Sequence, residues 1–88
     1  LIIDHALIRA EERGASEREI VETLLHGEDV TAKHGRSARE KVYPFDDKWL
    51  GKWYPERKVK VVFVEEQGTL TVITVYVFYG IWTRGEKS

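Results

Sequence analysis

Three side chains near the start of the chain have the types and spacing needed for acid–base chemistry at a phosphodiester. His5, Arg9 and Arg13 recur every four residues, so on a helix they form one row. Imidazole titrates near neutral pH and can accept or donate a proton. The planar guanidinium binds phosphate oxygens and stabilises charge that develops on them. A solvated helix face, with the arginines paired to nearby glutamates, is the alternative interpretation of the same spacing.

A second candidate surface lies on the C-terminal hairpin. Residues 58–78 alternate apolar and polar side chains on both sides of Gly68, which indicates two antiparallel strands joined by a short turn. With Val64 paired to Leu70, the predicted pairs are Lys58–Tyr76, Lys60–Thr74, Val61–Ile73 and Val59–Val75. The predicted core face consists of Val59, Val61, Phe63, Ile73, Val75 and Val77. The other face consists of Lys58, Lys60, Val62, Val72, Thr74, Tyr76 and Phe78, and it is either a binding surface or an ordinary solvent-exposed face.

The segment 45–57 is rich in aromatic residues. It contains Trp49, Trp53 and Tyr54 among charged side chains. Tryptophan and tyrosine are enriched at protein interfaces, so these three are candidates for binding a partner protein or a second copy of the chain. Packing in a small satellite core and stacking on bases are the alternatives. Asp46 also predicts the N-cap of a single helical turn that Gly51 ends.

Two further polar groups are weaker candidates. A basic run consists of Arg36, Arg39 and Lys41, and it is either a phosphate contact or a solvated loop. A conceivable metal cluster consists of His26, His34, Glu28 and Asp29. Its spacing matches no familiar set of metal ligands, and the chain has no cysteine. We therefore predict no metal site and no other cofactor.

The elements that position these residues can be predicted from periodicity and caps. An apolar stripe at helical spacing runs from Ile2 to Ala10, and Gly14 is a good stop. The segment 16–19 is a capping box for a second helix that ends at Gly27. A short strand at 30–33, a turn at 34–37 and a strand at 38–43 follow. Pro44 ends that strand or places it at an edge. The predicted fold is α+β, with two N-terminal helices on one face of a three- to four-stranded, mainly antiparallel sheet.

Length and composition restrict the class of protein. The 88 residues predict a single domain, 1–88, with one core. A net charge of −1 counts against strong non-specific binding to nucleic acid. The absence of cysteine, of a membrane-spanning apolar run and of a secretory signal favours a cytoplasmic protein. The chain begins with Leu1, as expected if the first residues of the natural protein are missing, and the polar tail 84–88 is expected to fray.

The chain resembles a known family at both ends. The pattern HAxxRxxxRGxS of residues 5–16 resembles the opening helix of a small bacterial and archaeal domain of unknown function, the DUF4258 type. VVF at 61–63 and ITVY at 73–76 are similar to its last two strands. The aromatic segment 45–54 is longer than expected for that family, so the resemblance implies no role for it. By element order the family is distantly similar to RelE and BrnT toxins, small α+β ribonucleases that cut RNA without a metal.

This resemblance implies a function as the toxin of a toxin–antitoxin pair. The catalytic residues would be His5, Arg9 and Tyr76, and the substrate-binding residues would be Arg13, Lys58 and Lys60. The implied partners are RNA and a cognate antitoxin protein. The alternative is a non-enzymatic module that dimerises or binds a partner through the aromatic segment 43–54, which the near-neutral charge favours. The sequence does not decide whether the domain is an enzyme.

Overall fold

Two helices precede a four-stranded antiparallel sheet in the computed structural model, which describes residues 1–83. The helices are α1 (Asp4–Glu12) and α2 (Glu17–His26), and the strands are β1 (Glu28–Val30), β2 (Ser37–Trp49), β3 (Lys52–Glu66) and β4 (Thr69–Gly80). The strands follow one another across the sheet in chain order. This confirms the predicted α+β architecture. The short strand after the second helix begins two residues earlier than predicted, and the tail 84–88 lies outside the described residues.

α2 begins and ends where the sequence predicts, because both of its caps are encoded locally. The Glu19 N–H donates to Ser16 Oγ at 3.2 Å, and the Ser16 N–H donates to Glu19 Oε1 at 3.0 Å. These reciprocal bonds are the predicted capping box. Gly27 follows as the C-cap, and its N–H donates to the Thr23 carbonyl at 2.8 Å.

The first two residues join the sheet rather than α1. Ile2 forms a parallel bridge with Val72, whose N–H donates to the Leu1 carbonyl at 2.8 Å. The Leu1 ammonium donates to the Leu70 carbonyl at 2.9 Å. α1 therefore begins at Asp4, later than the apolar stripe predicts. These bonds cover one end of the otherwise unpaired edge of β4.

The core lies between the helices and one face of the sheet. α1 packs on β4, and α2 packs on β2 and β3. The buried core residues are Ala6, Ala10, Ala15, Ile20, Tyr43, Val59, Val61, Val72 and Val75. The opposite side of the sheet is here called the open face, and by register and alternation it carries Ala38, Glu40, Lys58, Lys60, Val62, Thr74, Tyr76 and Phe78.

The register of the β3–β4 hairpin differs from the predicted one. Gln67 and Gly68 both have positive φ, the geometry of a two-residue type I′ turn, which offsets the pairing by one residue. A bulge between Val62 and Phe63 then adds a second residue. The observed pairs are Lys58–Phe78, Lys60–Tyr76, Val61–Val75 and Val59–Val77. The predicted pairs of Lys58 with Tyr76 and of Lys60 with Thr74 are therefore wrong.

The bulge also changes which side chains face the core. Val72, predicted on the open face, is fully buried under the helices. Ile73 was predicted in the core, but it occupies the bulge and is only partly buried. Beyond the bulge, the turn and the bulge together shift the pairing by two residues, and a shift of two keeps every side chain on its predicted face. Lys58, Lys60 and Tyr76 therefore still share one face.

The aromatic segment extends β2 and β3 as a hairpin, so the predicted helical turn at Asp46 is wrong. Leu50 and Gly51 have φ of 53° and 85° and form the turn. The pairing shifts between Pro44 and Asp47, where Asp46 also has positive φ. Pro44 lies beyond the part of β2 that pairs with β1, so it occupies the predicted edge position.

Candidate functional site

A basic pocket of about 320 Å³ lies where the β1–β2 loop folds over the open face. Its lining residues are Thr31, Ala32, Lys33, His34, Arg36, Lys60, Val62, Thr74 and Tyr76. Three of these side chains are lysine or arginine, one is a histidine, and none is a carboxylate. The pocket therefore attracts anions although the whole chain has a net charge of −1.

The turn between β1 and β2 places two of these polar side chains. His34 and Gly35 have φ of 61° and 72°, and the Arg36 N–H donates to the Lys33 carbonyl at 3.2 Å. These are the features of a type I′ turn, and the sequence predicts a turn here. Histidine is among the few residues other than glycine that tolerate positive φ. Backbone held in this region is concentrated at functional sites, which makes His34 a candidate.

The sheet supplies the floor of the pocket. Lys60 on β3 lies directly opposite Tyr76 on β4. Tyr76 is 43% exposed, and its hydroxyl makes no hydrogen bond with any residue in 1–83. Arg13 reaches around the edge of β4, where its Nη1 donates to the Val75 carbonyl at 2.7 Å. The Arg13 guanidinium lies 5.5 Å from the centre of the Tyr76 ring. Of the sequence-predicted site residues, Arg13, Lys60 and Tyr76 thus lie on adjoining parts of one surface.

His5 and Arg9 lie in the helix layer, away from this pocket. Both are exposed on α1, which packs against the face of the sheet opposite to the one that carries Tyr76. Neither side chain makes a hydrogen bond, ion pair or ring contact with another residue of the described chain. His5 precedes Arg13 by eight residues, about 12 Å along a helix. The structure therefore does not bring His5 or Arg9 into contact with Tyr76.

Lys58 is already engaged on the open face. Its Nζ lies 3.4 Å from Glu40 Oε2 and 4.9 Å from the centre of the Trp82 ring. Lys60 forms no ion pair with any residue in the part of the chain that the structure describes. Of the two predicted lysines, Lys60 is the one free to bind a ligand.

The predicted partner-binding aromatics divide into packed and exposed side chains. The Tyr79 ring stacks on Trp49 at 4.8 Å and lies 5.6 Å from Tyr54. Burial raises the pKa of Tyr79, whose hydroxyl donates to the Arg13 carbonyl at 2.6 Å. Trp49 and Tyr54 thus belong to a satellite core within the chain. Trp53 is 55% exposed and remains available to a partner.

Gly14→Ala is expected to lower the free energy of unfolding by about 2–3 kcal/mol. Gly14 has a φ of 97°, which strains residues with a Cβ, and an added Cβ would overlap the Tyr79 hydroxyl. Gly51→Ala is the matched control, because Gly51 has a φ of 85° with no atom nearby and should lose only about 1 kcal/mol. Urea denaturation followed by tryptophan fluorescence measures both, and equal losses would contradict the packing of Tyr79 against this turn.

A polar network under α2 is not evident from the sequence. Arg57 on β3 forms an ion pair with Glu19, and the Tyr43 hydroxyl donates to the Glu19 carbonyl at 3.2 Å. Thr23 Oγ1 lies 3.1 Å from the same hydroxyl. Burial raises the pKa of Tyr43. Burial opposes ionisation of Glu19, but hydrogen bonds from Arg57 and Ser16 outweigh it and hold the pKa of that carboxyl below its usual value.

Two absences hold for the described residues. Within 1–83 there is no group of three or more histidine, aspartate or glutamate side chains placed to hold a metal ion. None of the helices in the same range is long and apolar enough to cross a membrane.

Comparisons with known proteins identify a family but no characterised relative. A family model described as a domain of unknown function (DUF4258) matches residues 2–77. This range contains every residue that lines the basic pocket. No curated protein and no solved structure matches the chain.

Proposed function

The chain belongs to the family described as a domain of unknown function, DUF4258, and from that premise we propose that it is a ribonuclease that binds RNA on the open face of its sheet. The basic pocket is the observation that carries this proposal. The pocket combines three cations with a histidine and lacks a carboxylate, the composition expected of a site for a phosphodiester. The resemblance in element order to RelE and BrnT toxins supports the same class of substrate.

The cations of the pocket would hold the phosphate. Lys60 and Arg36 come from β3 and the β1–β2 loop, so a phosphate between them receives charge from two sides. Arginine can bind two phosphate oxygens at once, and the negative charge that grows on them during attack is stabilised in place.

His34 and Tyr76 line the same pocket and would move the two protons of the reaction. His34 takes the proton of the ribose 2′-hydroxyl, whose oxygen attacks the adjacent phosphorus. The bond from phosphorus to O5′ breaks, and Tyr76 donates its hydroxyl proton to that oxygen. The products are a 2′,3′-cyclic phosphate and a 5′-hydroxyl end. Because the attacking oxygen belongs to RNA alone, DNA would bind without being cut.

His5 and Arg9 define a second candidate centre on α1. Their row is exposed and accessible, and it carries the same pair of chemical groups. Both side chains project from the exposed surface of α1, which offers less to fix a substrate than the lined pocket does. Substitution of each histidine in turn distinguishes the two centres.

Lys60→Ala is expected to weaken RNA binding about tenfold. Loss of one charge-assisted phosphate contact accounts for this factor. The slope of log affinity against log salt concentration should also fall by the amount that corresponds to about one phosphate contact. Lys52→Ala, at the tip of the β2–β3 hairpin, is the control with the same change in net charge. Fluorescence anisotropy with a labelled 2′-O-methyl RNA, which cannot be cleaved, measures both. Equal affinities for the two variants would remove the pocket from the proposal.

The second candidate function is an interaction module. Leu50 and Trp53 are 89% and 55% exposed near the tip of the β2–β3 hairpin, which suits contact with an antitoxin-like protein or with a second copy of the chain. Failure of the wild-type protein to bind RNA, together with concentration-dependent dimerisation that Trp53→Ala abolishes, would favour this function over the first.

A further inference from the structure

Two aromatic rings stand side by side on the open face of β4, next to the basic pocket. Tyr76 and Phe78 are 43% and 46% exposed, and their ring centres are 6.4 Å apart with planes inclined by 27°. The neighbouring core side chains Val75 and Val77 point to the helix side. Nearly half of the surface of each residue therefore meets solvent, although burial of an aromatic side chain is strongly favourable.

Cations border this aromatic pair. Lys60 lies opposite Tyr76, and Lys58 lies opposite Phe78. Arg13 lies over the Tyr76 ring at the outer edge of the sheet, and its bond to the Val75 carbonyl holds it there. Glu40 on β2 lies opposite Lys60, and its carboxylate forms an ion pair with Lys58. The surface therefore combines exposed π faces with positive charge, which is the pattern of sites that bind unpaired nucleotides.

We propose that Tyr76 and Phe78 form a platform on which two consecutive unpaired bases stack, and this proposal rests on the proposed function of the basic pocket. The phosphate in the pocket and the bases on the platform would belong to adjacent nucleotides, because Tyr76 lines the pocket and also begins the platform. The bases of a duplex already stack on each other and cannot reach the rings. The substrate class is therefore single-stranded RNA.

Charge decides between RNA and a protein as the occupant. A partner protein would normally meet exposed aromatic rings with apolar side chains at an interface core depleted of charge. Here Lys60 and Arg13 adjoin the rings on both sides, and a polyanion satisfies them where an apolar protein surface would leave them desolvated.

Phe78→Leu is the informative substitution, because it keeps an apolar side chain on the strand and removes the π face. We expect it to weaken binding of a 2′-O-methyl oligoadenylate about tenfold, and Phe78→Trp to restore the affinity. Binding of an abasic oligonucleotide of the same length should be unchanged, since only its phosphates are recognised. Val21→Ala on α2 is the control, because Val21 is equally exposed (45%) but lies on the helix layer.

The ligands separate failure of the platform from failure of the proposed function. If wild type binds the abasic oligonucleotide as tightly as oligoadenylate, and Phe78→Leu changes neither affinity, the platform is overturned while the pocket stands. If wild type binds neither ligand, the pocket and the platform fall together. The platform is also overturned if wild type binds a duplex as tightly as the single strand. It is overturned as well if Phe78→Leu loses binding to a protein partner but keeps binding to RNA.

Discussion

His34→Ala is expected to reduce the rate of RNA cleavage at least about 100-fold while leaving RNA affinity within about threefold. A positioned acid–base group contributes roughly 10²–10⁴-fold to such reactions, and alanine removes it entirely. Affinity should change little, because Lys33, Arg36 and Lys60 supply the charge of the pocket and remain in place. Single-turnover cleavage of a labelled single-stranded RNA, with enzyme in excess, measures the chemical step apart from binding.

His5→Ala is the matched control, since it makes the same chemical change on α1. Its side chain is exposed and makes no hydrogen bond or ion pair with a described residue, so the folded domain should tolerate its loss. We expect wild-type cleavage by this variant. The opposite result, with cleavage lost in His5→Ala and kept in His34→Ala, would move the chemistry to the row of His5 and Arg9. His34→Gly distinguishes loss of the imidazole from strain in the turn. It removes the imidazole as alanine does, but glycine adopts the positive φ of this position freely.

Features encoded over a few residues were predictable from the sequence. The capping box of Ser16 and Glu19 determines where α2 begins, and Gly27 determines where it ends. Both were predictable because the residues that form each cap lie within about one helical turn of each other. Gly68 predicts the β3–β4 turn for the same reason, since a two-residue hairpin turn needs positive φ. The family resemblance, which rests on the opening helix and the last two strands, agrees with the match over residues 2–77.

Features that depend on register were not predictable. The predicted pairs of Lys58 and Lys60 are wrong because the turn shifts the pairing by one residue and the bulge between Val62 and Phe63 shifts it by another. Such a bulge leaves no mark in the alternation of apolar residues. The pocket depends on register in the same way. His34 and Lys60 line the same pocket only because β1 pairs with β2 and folds the connecting loop over the sheet. A signal did exist in the His-Gly pair, which favours a type I′ turn, but nothing local indicates what that turn covers.

The helix layer and the open face differ in how their charges are used. On the helix side, Arg57 pairs with Glu19, and Arg39 donates to Asp29 at 2.9 Å. On the open face, Glu40 lies opposite Lys60 but forms its ion pair with Lys58, and Lys60 forms no ion pair within the described residues. A chain of near-neutral charge therefore presents a local cationic surface, because Lys33, Arg36 and Lys60 line the pocket without a carboxylate. This segregation is what reconciles a net charge of −1 with an RNA-binding function.

Glu19→Gln is expected to lower the free energy of unfolding at pH 7 by about 2 kcal/mol. The Arg57 and Glu19 side chains are only 12% and 20% exposed, so their ion pair is largely shielded from water. Hydrogen bonds to charged groups contribute about 1.5–3 kcal/mol, and removal of one charge leaves the other buried without compensation. Nη1 of Arg57 is already buried without a hydrogen-bond partner in residues 1–83. Urea denaturation at pH 7 measures the loss.

The pH dependence of this loss tests its electrostatic origin. The pKa of Glu19 is lowered in the folded protein, although burial opposes the shift, because Arg57 and Ser16 bond to the carboxylate. The stabilisation is therefore complete above the pKa of an unfolded glutamate, about 4.3, and disappears as the pH falls through the lower folded value. The difference in stability between wild type and Glu19→Gln should shrink accordingly below about pH 4.

Glu22→Gln provides the control on the same helix. Glu22 lies 3.4 Å from Lys41 Nζ, but both side chains are more exposed, at 43% and 30%. Exposed ion pairs contribute about 0–1 kcal/mol, so this variant should lose less than about 1 kcal/mol at any pH. Equal losses for Glu19→Gln and Glu22→Gln, or a loss at Glu19 that persists unchanged at pH 3, would show that the buried pair with Arg57 does not hold α2 on the sheet.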